Sequence, residues 1–250
     1  MPDWMRTTAL AFAFLTRLPV PAVVPRDGDL TRASALFPLV GLVVAALGVA
    51  GRALVEPLLG PAAGTVAGVL VAVAVTGAFH EDGLADTADG LWGGWEPERR
   101  LEIMRDSRLG TYGTIALVGL FGLRWALLVP APPGVFAAAM VSGHVLGRAA
   151  ALAVVRMAPA VAGSSGAGIA GPLGAPRLVL AAGLTLAPVV VAAGAATVPA
   201  LVATAALSVA AARLFLRRLG GVTGDTLGAT TVVVEVAAMA AVLAWHRVIG

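Results

Sequence analysis

The sequence predicts an all-α, polytopic integral membrane helical bundle of about seven transmembrane helices, with an N-terminal interfacial helix ahead of them. Three observations carry this prediction. The 250 residues are 59% apolar and 12% charged, with a mean hydropathy of +0.93, whereas soluble domains run near ~45–50% and ~25%. Seven apolar stretches approach the ~20 residues that ~30 Å of hydrocarbon requires at ~1.5 Å per residue. Arginine, which supplies all of the Lys+Arg count of 17, gathers on alternate joints between those stretches.

In chain order, Trp4 to Leu18 is apolar but carries Arg6 and Arg17 and ends in Pro19-Val20-Pro21. A helix lying in the membrane interface suits it better than a span. No small-residue cleavage site follows, which disfavours a signal peptide. Spans are expected at 35–51, 62–79, 111–129, 135–155, 178–196, 199–216 and 226–244. Pro57 and Pro61 part the first two, and Pro130 to Pro133 part the third and fourth. Only a short joint before Pro199 separates the fifth from the sixth, so one broken unit is the alternative there.

Arginine placement supports this count. Arg6, Arg17, Arg26 and Arg32 precede the first span, and Arg99, Arg100, Arg105 and Arg108 follow the second. Arg156 and Arg177 follow the fourth, and Arg213, Arg217 and Arg218 lie before the seventh. All of these share one side, leaving only Arg52 and Arg247 opposite, with Arg124 and Arg148 inside spans. The positive-inside rule makes the Arg-rich side cytoplasmic, with the N-terminus in and the C-terminus out.

The remaining composition excludes several classes. With Cys 0, thiolate zinc sites, iron–sulfur clusters and cysteine nucleophiles are ruled out. The sequence pI is about 10.8, but a net charge of +3 is too thin for a phosphate-tracking stripe. The expected partner is therefore the lipid bilayer and not nucleic acid.

The acids mark a site. Eight of the 14 Asp and Glu lie between Glu81 and Asp106. They open with His80-Glu81-Asp82-Gly83-Leu84-Ala85-Asp86-Thr87-Ala88-Asp89-Gly90. On a helix, Asp82, Asp86 and Asp89 share a face, with Glu81 about a quarter-turn or more away. Grouped carboxylates repel unless a cation sits among them, and oxygen-only ligands suit Mg²⁺ or Mn²⁺. The plainer alternative is a solvated acidic loop. Glu98 to Gly110 then reads as a short amphipathic helix with Arg105, Asp106, Ser107 and Arg108 near its end, basic groups that suit phosphate oxygens. Pairing within the helix and anchoring at the membrane face is the plainer reading of Arg99 and Arg100, and explains the Arg105 to Gly110 stretch less easily.

The last joint, Gly220-Gly221-Val222-Thr223-Gly224-Asp225-Thr226-Leu227-Gly228, opens a helix with free N–H groups suited to an anion. Asp225 is alternatively the cap of that helix. Arg124, His144, Arg148 and Glu235 lie within apolar stretches, where charge is costly and often functional. His144 and Arg148 are spaced to line a cavity wall, while pairing of Arg124 and Arg148 with Glu235 is the structural alternative.

These motifs resemble the cobalamin synthase (adenosylcobinamide-GDP ribazoletransferase) family. Phe37-Pro38-Leu39-Val40-Gly41, Thr76 to Gly90, Arg105 to Gly113 and Gly220 to Ala229 carry the likeness, in order, over nearly the whole chain. The pattern departs after Pro159, where Ala160-Val161-Ala162-Gly163 stands instead of an expected Arg, and near Val232, where an acid is expected. The resemblance implies one membrane-embedded catalytic domain over residues 1–250, with 1–34 as the interfacial segment and 80–110 as a cytoplasmic acidic and Arg-rich loop. It implies a multi-pass enzyme of the bacterial inner membrane that joins the phospho-cobinamide moiety of adenosylcobinamide-GDP to α-ribazole or α-ribazole 5′-phosphate, releasing GMP, with Mg²⁺ as cofactor. Asp82, Asp86, Asp89 and Glu81 are then the expected metal ligands, and His80 or one of the acids the expected base. Arg105, Asp106, Ser107, Arg108, Thr223, Gly224 and Asp225 are expected to bind substrate. A homo-oligomer is compatible with the sequence.

Two rivals are weaker. A CDP-alcohol phosphatidyltransferase would need Ala-Arg in its Asp-rich motif and two further Asp after Gly94, which are missing. A small transporter would be favoured by inverted repeats, and none is evident.

Overall fold

A computed structural model describes residues 1–249. The described chain is helical without a β-strand. Its helices are α1 (Asp3–Leu15), α2 (Asp29–Ala33), α3 (Phe37–Thr76), α4 (Phe79–Gly93), α5 (Pro97–Met104), α6 (Thr111–Leu128), α7 (Pro133–Met157), α8 (Ala175–Ala193), α9 (Thr197–Leu219) and α10 (Gly224–Ile249). Three short 3₁₀ turns lie at Ser34–Leu36, Ser165–Ile169 and Gly194–Ala196. Five helical stretches among the described residues are long and apolar enough to cross a membrane, two of them interrupted.

The interruptions follow from backbone chemistry. Inside α3, Gly60 has φ 81° and ψ 173° between Pro57 and Pro61, a conformation that glycine adopts without the Cβ clash other residues suffer. The chain folds back there: a Cβ on Gly48 would stand 3.0 Å from the Gly68 carbonyl oxygen, and one on Gly64 would stand 2.7 Å from the Glu56 Cβ. Residues on either side of Gly60 thus pack antiparallel through small side chains, the close approach that favours helix pairs in lipid. Gly194, at φ 54°, breaks the α8–α9 stretch. The α8 start packs near Ala35 and Leu152, and the α9 end returns to Arg100 on the same end of the bundle.

Helices α7 and α10 form the axis. Gly143 and Gly147 of α7 let Met239, Glu235 and Thr231 of α10 approach closely, and Gly41 of α3 sits against the His144 carbonyl. The outer helices α6, α8 and α9 keep Ile115, Val118, Val179, Val191 and Val202 exposed, as a hydrocarbon solvent permits. At the end of the bundle away from α4, Arg52 is buried and satisfied from within. It pairs with Glu56 at 2.5 Å, donates to the Leu128 and Ala131 carbonyls, and lies 4.3 Å over the Phe136 ring.

Two local expectations change. The 80–110 segment is mostly helix, not loop. The amphipathic helix stops at Met104 instead of reaching Gly110. Asp106 accepts the Arg108 N–H at 3.1 Å, a local side-chain bond that competes with helix continuation.

Candidate active site

Helix α4 begins where the chain leaves α3 through two left-handed residues, Gly77 at φ 65° and Ala78 at φ 57°. The Arg17 N–H donates to the Val75 carbonyl at 2.7 Å, and the Arg17 side chain crosses Gly77 so closely that a Cβ there would lie 2.6 Å from Nε. Phe14 stacks on Phe37 at 5.8 Å and meets Phe79 edge-on at 5.7 Å. The N-terminal segment therefore braces the start of the acidic helix.

The acidic helix lies directly on the start of α10. A Cβ on Gly83 would stand 2.8 Å from the Asp225 carbonyl oxygen, and Gly228 faces the Cα atoms of His80 and Gly83. The Thr223 hydroxyl accepts from the Thr226 N–H at 3.2 Å, and the Thr226 hydroxyl accepts from the Thr223 N–H at 2.8 Å. This reciprocal cap is supplied by threonine, so Asp225 is not needed as the cap. The α10 start is clipped to the segment after α7: the Val222 N–H donates to the Pro159 carbonyl at 2.8 Å and the Val161 N–H to the Val222 carbonyl at 2.9 Å. Gly166 also meets Thr223 and Gly224.

The candidate acids separate by environment. Asp82 is exposed and Asp86 is half-buried. Burial, then the charges of Asp82, Asp225 and Asp89, push the Asp86 carboxyl up to about 7. Asp225 thus joins this cluster from the far end of the sequence. Asp89 is buried, and its two oxygens accept the Gly110 N–H at 2.8 Å and the Gly113 N–H at 2.9 Å. It anchors the loop to α4 and the start of α6. Among the described residues, no three His, Asp or Glu side chains converge to enclose a metal ion unaided.

Glu81 points inward. It pairs with Arg124 at 2.9 Å, while its other oxygen is buried without a partner. Arg124 reaches Glu235 at 2.5 Å, and Glu235 meets His144 at 2.9 Å and also Arg148. Pairing with Glu235 is therefore the arrangement observed for both intramembrane arginines. His80 is buried against this network, and burial, then the Arg148 charge, push its imidazole well below the ordinary value.

In the loop after α5, Arg105, Ser107 and Arg108 are exposed. Arg108 pairs with Asp106 at 2.5 Å, which holds the Asp106 carboxyl down to about 2. Arg99 pairs with Glu102 at 2.6 Å on the surface. Arg100 is buried and donates to the Gly94 and Arg218 carbonyls. The structure thus brings the acids of α4, the Gly110 to Gly113 segment and the Thr223 to Asp225 segment together at one end of the bundle. The sequence left Asp225 as a substrate contact or a helix cap and did not place it beside Asp82 and Asp86. The glycines at 83 and 228 were the signal for that approach.

Comparison with known proteins identifies the family. The sequence model of the cobalamin-5-phosphate synthase family matches residues 7–243. Proteins named adenosylcobinamide-GDP ribazoletransferase are similar: one from Shewanella pealeana is 41% identical with 88% of each chain covered. One from Ralstonia nicotianae is 39% identical with 96% of this chain and 95% of the relative covered. One from Sinorhizobium medicae is 40% identical with 93% and 94% covered. No solved structure matches. The chain belongs to the cobalamin-5-phosphate synthase family.

Proposed function

We propose that this enzyme transfers the phospho-cobinamide moiety of adenosylcobinamide-GDP to a ribose hydroxyl of α-ribazole or its 5′-phosphate. The observation that carries the reading is the convergence of α4, the Gly110 loop and the start of α10 at one end of an apolar bundle. The hydroxyl oxygen bonds to the cobinamide-side phosphorus, the pyrophosphate bond breaks, GMP leaves and the hydroxyl proton passes to a base. Asp82, Asp86 and Asp225 are the groups that would hold Mg²⁺. They offer oxygen donors whose charge nothing nearby neutralises, and Mg²⁺ is commonly bound by one or two carboxylates plus substrate phosphates. When bound, it would neutralise the charge that grows on the departing GMP oxygen.

The chain's own groups orient the reaction. The positive end of the α10 dipole would favour the phosphates, and Arg105 and Arg108 would attract them from the loop. Asp89 keeps that loop in place through two N–H bonds. Glu81 and His80 hold α4 from beneath.

For topology, the breaks at Gly60 and Gly194 each return the chain across the bilayer, giving seven traversals, with α1 lying in the interface. The carboxylate end is cytoplasmic in a bacterial inner membrane, the N-terminus in and the C-terminus out. In proteoliposomes with adenosylcobinamide-GDP, α-ribazole and Mg²⁺, the enzyme releases GMP and forms the joined corrinoid. No release under conditions where a known relative turns over would overturn the reading. A cysteine placed at exposed Ser107, in a chain with no other, should react with impermeant maleimide only from the cytoplasmic side.

A further inference from the structure

Behind the carboxylate face of α4 lies an apolar crevice of about 460 Å³, walled by α4, α6, α9 and α10, a size within the ~300–1,000 Å³ of ordinary ligand pockets. Leu84, Leu91, Leu207, Phe215 and Val233 line it together with Thr87. The Thr87 hydroxyl is buried and has no hydrogen-bond partner, an expensive state for a polar atom unless a ligand completes it. The crevice shares Leu91, Trp92 and Leu214 with a second cavity of about 250 Å³, whose other lining includes Trp95, Arg100 and Arg218. The two form one feature, apolar within the bundle and basic at its mouth.

The chemistry of the mouth names the occupant. Trp92 and Trp95 are 64% and 89% exposed, matching the aromatic belt at a headgroup boundary. Arg100 spans α5 and α9 by donating to the Gly94 and Arg218 carbonyls at 3.0 and 2.9 Å, so its guanidinium is held in place, and Arg218 lines the same cavity. We infer that this feature binds one anionic glycerophospholipid, an acyl chain in the crevice behind α4 and the phosphate at Arg100 and Arg218. The ester region of the lipid lies within reach of the Thr87 hydroxyl. Because α4 carries the acids on its opposite face, the lipid fills the space that would otherwise let this helix rock.

Native mass spectrometry of the detergent-purified chain, titrated with dioleoyl phosphatidylglycerol or dioleoyl phosphatidylcholine, tests this. Two arginines at the headgroup level, at ~1 kcal/mol each, predict about a 30-fold preference for the anionic lipid. Arg218→Gln should cut that preference to about fivefold, and Ala211→Trp, which fills the crevice, should abolish retention of both. Phosphatidylglycerol with a tail diazirine, applied to the unaltered protein, should label Leu207, Phe215 or Val233. Equal retention of the two lipids, label confined to α8, or displacement of the lipid by α-ribazole would each overturn the assignment. None of these readouts depends on turnover, so the lipid site and the proposed reaction fail separately.

Discussion

Glu81 and Asp82 are neighbours on one helix and live in opposite electrostatic worlds. Glu81 turns into the bundle, where Arg124, Glu235, His144 and Arg148 form a closed network with two acids against two arginines. Asp82 turns to the exposed face, where Asp86 and Asp225 add charge of the same sign. In the first region every charge has an internal partner, so the network serves to hold α4, α6, α7 and α10 together. In the second, the balance is left for something that binds. A charge compensated inside the bundle thus holds helices together, whereas one left uncompensated is open to a ligand.

The sharpest break of that contrast is Glu235→Gln, which leaves Arg124 and Arg148 buried with one fewer anion. Losing one partner of a buried pair costs roughly 3–5 kcal/mol, so thermal melting in detergent should drop steeply. Asp86→Asn should do the reverse. Turnover falls about 10³-fold, or about 4 kcal/mol at ~1.36 kcal/mol per decade, while the melting temperature holds or rises as repulsion is relieved. A parallel loss of stability would place Asp86 with the structural set.

Asp89→Asn falls between the two regions. It removes one of the two acceptors for the Gly110 and Gly113 N–H groups, and an unsatisfied buried donor costs about 1–3 kcal/mol. Hydrogen exchange should quicken at Gly110 and Gly113 before the bundle as a whole loosens. Gly83→Ala forces a Cβ against the Asp225 backbone, an overpacking cost of about 1–3 kcal/mol. Its KM for Mg²⁺ should rise, because Asp225 moves away from Asp82 and Asp86.

The smallest effect is on pH. Burial and its neighbours raise the Asp86 carboxyl from 3.8 to about 7, so the folded protein holds this proton more tightly than the unfolded chain. Stability without metal therefore falls as pH climbs from about 4 to about 7 and levels above that. Mg²⁺ should reverse this slope, and Asp86→Asn should remove it. A flat profile in the unaltered protein would show that Asp86 is ionised throughout.

Much of this molecule was legible along the chain. Apolar length marked the long apolar helices, and Pro57 and Pro61 marked the break at Gly60. The spacing of Asp82, Asp86 and Asp89 put them on one helical face, which α4 preserves although it starts anew after Gly77 and Ala78. Less legible was the end of α5, because the Asp106 to Arg108 turn is set by a single side-chain bond. Distant pairings were legible only as alternatives or not at all: pairing of Arg124 and Arg148 with Glu235, which the structure shows, stood open beside a cavity-lining reading. Nothing local in Arg124 selects Glu235, 111 residues away, and nothing in Gly-Asp-Thr says that Asp225 lies beside Asp86.

Hydropathy and helical spacing are sums over neighbouring residues, so the sequence by itself determined a membrane-embedded helical bundle with a concentrated acidic segment. Whether a given charge is neutralised depends on what another helix carries to within about 3 Å of it, and only tertiary packing decides that. Here the deciding contacts are glycines: Gly83 and Gly228 bring Asp225 to the acids of α4, while Gly143 and Gly147 bring Glu235 to His144 and Arg148. Where no side chain holds two helices apart, their charges must either pair with each other or wait for a ligand.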